Sequence, residues 1–98
     1  MAKKIVFKKR FNNRLIKLLE YLKNEWGEIV ASSFLIKLEG RLETLSEQPY
    51  IGAPSEIVKG LRGILISRHN KVFYKVTEKE IIIMHMQDTR MNPKKKKA

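Results

Sequence analysis

The sequence predicts an α+β domain in which a helical hairpin packs on an antiparallel sheet, with elements in the order β-α-α-β-β-β. Three observations predict it. Apolar residues recur at helical spacing over two consecutive stretches, they alternate with a period of two from Leu61 onward, and the change comes at a loop containing Pro49, Gly52 and Pro54.

Each element has its own local cause. Ile5-Val6-Phe7 is short, β-branched and aromatic, which suits an opening strand that pairs with later ones. From Arg10 onward Phe11, Leu15, Leu18, Leu19, Leu22 and Trp26 fall on one side of a helix, with Lys17, Glu20 and Lys23 on the other. Gly27 stands where a left-handed residue ends such a helix. A second helix carries Val30, Phe34, Leu35, Leu38, Leu42 and Leu45 as its stripe, and the short connection makes the two helices a hairpin. Leu61 to Arg68, Val72 to Val76 and Ile81 to Met86 are then three strands joined by short polar turns, which predicts an antiparallel meander. Ile81-Ile82-Ile83-Met84 is apolar on both sides, so this strand is expected to be central and covered by the helices.

The chain of 98 residues has room for one core, so residues 1–93 are read as one domain and the lysine-rich tail at 94–98 as disordered. With no cysteine, disulfide scaffolds, thiol catalysis and cysteine-ligated zinc are excluded. No apolar run approaches the roughly 20 residues that span a bilayer, and a cytoplasmic location with no membrane partner is expected.

The formal net charge is +11, and it is unevenly spread. Six basic side chains balance six acidic ones between Arg10 and Gln48. The excess comes from Lys3, Lys4, Lys8 and Lys9 and from the segment after Pro49. Such a field attracts a polyanion or an acidic protein surface, although a solvated surface with a solubilising tail has the same composition.

The residues that can carry chemistry lie in the second half. Arg62, Ile64, Ile66 and Arg68 share one parity, so a regular strand would project both guanidiniums to one face, where they can clamp phosphates or pair with carboxylates. His69 sits in a turn and His85 in an apolar strand, positions that fit plain exposure and plain packing as well as function. Tyr74 shares parity with Val72 and Val76, where tyrosines usually pack with the hydroxyl tied to a neighbour. Asp88 and Arg90 follow at the end of the last strand, either as a salt bridge or as target contacts. No phosphate loop, Ser-His-Asp order or metal-ligand cluster is present in the sequence, and no cofactor or metal is expected. Arginine, histidine and tyrosine on a sheet face are the types that cleave RNA without a metal.

The order Pro49-Tyr50-Ile51-Gly52, Leu61-Arg62, Ser67-Arg68-His69-Asn70, Phe73-Tyr74-Lys75-Val76, Ile81-Ile82-Ile83 and Asp88-Thr89-Arg90-Met91-Asn92-Pro93 resembles the RelE/ParE toxin superfamily of type II toxin–antitoxin and plasmid-stabilisation systems. The resemblance covers nearly the whole chain and implies the β-α-α-β-β-β fold, growth arrest, and a separate cognate antitoxin with which the toxin forms an oligomer. RelE-like members are ribosome-dependent messenger RNA endoribonucleases, and on that branch Arg62, Arg68, Arg90 and Tyr74 would be catalytic. ParE-like members poison DNA gyrase, and the target contacts would then be Arg62, Arg68, His69, Asp88 and Arg90. The terminal aromatic residue of RelE-like members is missing here, since Asp88 is followed by Thr89-Arg90-Met91-Asn92-Pro93 and lysines. Together with the long helical hairpin, this ending is closer to the ParE-like side. A non-catalytic nucleic-acid or antitoxin-binding module is the remaining alternative.

Overall fold

The computed structural model describes residues 2–89. Strand β1 (Lys4–Phe7) leads into helices α1 (Lys9–Trp26) and α2 (Glu28–Glu47), followed by a two-residue strand β2 (Ala53–Pro54) and strands β3 (Arg62–Ser67), β4 (Asn70–Val76) and β5 (Glu80–Asp88). They form one five-stranded sheet in the order β1-β5-β4-β3-β2. The expected meander is its antiparallel part, and β1 joins it in parallel, with Ile5 opposite Ile81 and Phe7 opposite Ile83. The β-α-α-β-β-β order is therefore observed, with β2 as a small edge addition.

Gly27 alone connects the helices, at φ 97°, which favours glycine. Its amide donates to the Lys23 carbonyl, closing α1, and its own carbonyl accepts from Ala31, opening α2. With so short a link the two apolar stripes meet and settle together on one face of the sheet, α1 over β5 and α2 over β3. Phe11, Phe34, Leu38, Leu45, Ile64, Ile66, Val72, Tyr74, Ile81, Ile83 and Met86 make the buried core. As expected, β5 is central at this end and its Ile81 and Ile83 are fully covered. The α1 stripe stops earlier than its spacing predicts. Trp26, the last helical residue before the reversal, is 67% exposed because little of the second helix or the sheet covers it.

Two register shifts interrupt the ladder. One falls between Leu65 and Ser67 of β3, and the other lies between β4 and β5, where Phe73 is opposite His85 but Tyr74 is opposite Ile83. Each inserts a residue into one strand and resets the alternation of side chains beyond it. The parity that was to place Arg62 and Arg68 on one face does not run through the first shift.

Candidate functional site: a basic cleft at the end of the sheet

Residues opposite each other on neighbouring strands share a face. Arg62 is opposite Tyr74, and Tyr74 opposite Ile83, so both belong to the helix side of the sheet. The expected open face carrying arginine and tyrosine is therefore not formed. Tyr74 has no exposed surface, and its hydroxyl donates to the Pro49 carbonyl at 2.8 Å and accepts from the Gly52 amide at 2.9 Å. Burial raises its pKa above 10.0, with the Gly52 amide and the Arg62 charge pulling the other way. Arg62 donates to the Gly52 carbonyl at 2.7 Å and to the Tyr50 carbonyl at 3.3 Å, and its guanidinium lies 4.9 Å from the centre of the Tyr50 ring. Both side chains fasten the Pro49–Gly52 loop. Tyr74 is fully covered there, whereas Arg62 is half-buried with its guanidinium on the loop carbonyls.

The face away from the helices is instead built on Lys71, Phe73, Lys75 and His85. Phe73 stacks on His85 with ring centres 4.9 Å apart, and the Lys71 ammonium is 5.4 Å from the Phe73 ring. Gly63 makes room for this layer, because a Cβ there would come within 2.6 Å of Lys71 and 3.2 Å of Phe73.

The remaining expected residues do come together, at the opposite end of β3 from Arg62 and about 20 Å away at strand rise. Arg68 and His69 form the β3–β4 turn. Their carbonyls accept from the Thr89 hydroxyl and amide, which ties the turn to the end of β5, and Asn70 is opposite Asp88 in the register. Arg68 is exposed. Arg90, the last expected member, lies outside the described residues, as does the tail at 94–98.

Beside this group runs a cleft that the sequence did not reveal. Strand β1 pairs only as far as Ile83, so from Met84 to Asp88 the outer edge of β5 has no strand beside it among the described residues. Helix α1 flanks that edge. Lys9, Arg10, Asn13, Arg14, Lys17, His85 and Met86 line one stretch, of about 540 Å³. The next stretch, of about 560 Å³, is bounded by Arg14, Lys17, Tyr21 and Trp26 on the helix and by His69, Asn70 and Asp88 on the sheet. None of Lys9, Arg10, Arg14 and Lys17 has an ion-pair partner among the described residues. Burial, and then the nearby Arg10 charge, lowers the pKa of His85 from the ordinary 6.5. The overlooked signal was the spacing of Arg10, Arg14 and Lys17, one helical face hidden inside a segment whose total charge is zero.

A family model described as the ParE toxin of the type II toxin–antitoxin system parDE matches residues 5–93. The chain belongs to the ParE toxin family. Solved structures agree with that membership at the level of fold. A chain of the chromosomal ParDE system from P. aeruginosa superposes with a TM-score of 0.75 at 19% identity, covering 89% of this chain and 96% of that one. The YoeB/ParE toxin from Agrobacterium tumefaciens gives a TM-score of 0.63 at 11% identity over 87% and 96% of the two chains. A chain of the E. coli DinJ-YafQ toxin-antitoxin complex gives 0.64 at 15% identity over 92% and 96%. Comparison with curated proteins finds no match. The chain is thus a toxin of the RelE/ParE superfamily, and among its described residues no helix is long and apolar enough to cross a membrane.

Proposed function

We propose that this ParE-family toxin arrests growth by inhibiting DNA gyrase, and that the turn and strand end bearing Arg68, His69 and Asp88, together with Arg90, form its target-contacting surface. The observation that carries the reading is the dispersal of the groups that metal-free RNA cleavage would use. The Tyr74 phenol is sealed in the core, and Arg62 is engaged by the Pro49–Gly52 loop at the far end of β3 from Arg68. General acid–base catalysis needs its groups within hydrogen-bond reach of the same phosphate. A surface that only binds has no such requirement.

A cognate antitoxin is the second partner in this proposal, forming a hetero-oligomer with the toxin. The structures of E. coli DinJ-YafQ and of YoeB-YefM from Staphylococcus aureus are toxin–antitoxin complexes of the same fold, which supports it. An antitoxin that is acidic where it covers the basic end of the sheet would neutralise the field and occlude the contact surface at once.

The deciding experiment is a supercoiling reaction with purified gyrase. Inhibition or trapped cleavage complexes are expected with the parent protein, and a loss of at least about tenfold in potency with Arg68→Ala, the effect of one lost charged contact of about 1.4 kcal/mol or more. Unaffected gyrase, with ribosome-bound messenger RNA cut by the same preparation, would transfer the protein to the ribosome-dependent endoribonuclease reading.

A further inference from the structure

We infer that the cleft between α1 and the outer edge of β5 binds a single strand of nucleic acid, holding phosphates along Arg10, Arg14 and Lys17 and bases against Tyr21 and Trp26. This site adjoins the surface proposed to contact gyrase, sharing His69 and Asp88 with it, and its occupation requires no gyrase.

The first argument is the electrostatics of the helix. A helix N-terminus carries partial positive charge and favours acidic residues in its first turn. Helix α1 has none there, and instead is capped by Lys8 and begins with Lys9 and Arg10. Arg14 and Lys17 continue the row at intervals of four and three residues, about 6 Å and 4.5 Å along the axis, and none of Lys9, Arg10, Arg14 and Lys17 has an ion-pair partner among the described residues. Stability alone would remove such a concentration of like charge, whereas a phosphodiester chain neutralises it by displacing counterions.

The second argument is where the aromatics stand. Tyr21 and Trp26 are 56% and 67% exposed, and both line the same cleft as Arg14 and Lys17. Exposed rings gain little from water, but they stack on bases regardless of sequence, and a basic groove with aromatic platforms is how proteins hold unpaired strands. Asn70 and His69 on the opposite wall add polar groups within the same space. A peptide of acidic residues alone would meet the cations equally well but would offer the two rings no apolar or aromatic partner. The wall also contains Asp88, which shares a pocket with Arg10 and Arg14.

The test uses the purified full chain and a fluorescein-labelled oligothymidylate of about 20 nucleotides, read by polarisation at low salt. Binding is expected, weakening steeply as salt is raised, with Trp26 fluorescence quenched and the oligonucleotide recovered intact. An oligouridylate arm distinguishes DNA from RNA as the source of the strand, and a preference for either agrees with the inference. The triple variant Arg10→Gln/Arg14→Gln/Lys17→Gln should lose at least about tenfold in affinity, while Lys71→Gln/Lys75→Gln/Lys79→Gln, with the same loss of charge elsewhere, should change it by less than about twofold. Arg14→Gln alone serves if the triple variant does not fold, with a loss of about threefold expected. Tyr21→Ala/Trp26→Ala should weaken binding about tenfold with the salt dependence kept. Equal losses in the two triple variants, tighter binding of a labelled polyglutamate than of the oligonucleotide, or no binding at all would each overturn the inference.

Discussion

The hydroxyl of Tyr74 bridges the turn that ends at Gly52, accepting the Gly52 amide at 2.9 Å while donating to the Pro49 carbonyl at 2.8 Å. A fully covered side chain on the middle of the sheet thereby fixes the loop that leads into β2. The glycine is required for the approach, since a Cβ at Gly52 would sit 2.5 Å from the tyrosine oxygen and 2.7 Å from the Gly63 carbonyl.

Tyr74→Phe should therefore destabilise the domain by about 1–3 kcal/mol, because the Gly52 amide and Pro49 carbonyl lose a buried partner. Gly52→Ala should cost a similar amount for a different reason, since the Gly63 backbone cannot yield as a flexible side chain would. Urea denaturation of the two variants checks both values, and a Tyr74→Phe midpoint equal to that of the parent would contradict the bridging role.

Arg62 and Arg68 should separate cleanly in the laboratory. Arg62→Ala removes two hydrogen bonds to loop carbonyls and the contact with the Tyr50 ring, and should lower stability by about 1–2 kcal/mol. Arg68→Ala, at an exposed turn, should leave the melting temperature within a few degrees of the parent and act only on target inhibition. Calorimetry alongside the gyrase assay distinguishes them.

Gly27 offers a test of the hairpin. With nothing within 4 Å of its Cβ position, Gly27→Ala meets no obstacle and pays only for a positive φ of 97°. A loss of about 1–2 kcal/mol is expected, measured by thermal unfolding. A neutral substitution would show that the connection relaxes.

His85 should make stability fall in mild acid. Burial and then Arg10 lower its pKa in the folded chain below the ordinary 6.5, so between these two values the unfolded chain binds the proton and the folded chain resists it. The contribution is complete above pH 6.5 and is lost as pH drops through the depressed value. Unfolding measured between pH 7.5 and pH 5 should show this decline in the parent and a flatter profile in His85→Gln.

The legible and illegible parts of this molecule differ in how far their causes reach along the chain. Phe11 to Leu22 and Phe34 to Leu45 announce their helices because every position repeats the same choice between oil and water. Ile81 and Ile83 announce a central strand in the same manner, and the parity of Tyr74 with Val72 and Val76 already placed it among packing residues. The parallel partnership of Ile5 with Ile81 has no local trace. The bulges are equally silent, and they overturned the alternation argument that joined Arg62 to Arg68. For the cleft, counting charge over a long segment concealed what spacing on one helix would have revealed. Glu20, Glu25 and Glu28 cancel Arg10, Arg14 and Lys17 in the total, whereas only the three cations line the cleft.

The pairing of Ile5 with Ile81 also has a consequence in time. During synthesis the opening strand emerges first and must wait for almost the entire remaining polypeptide before its neighbour leaves the ribosome. Until then the apolar edge that Ile5 and Phe7 will cover does not exist, and contacts so distant along the chain form late.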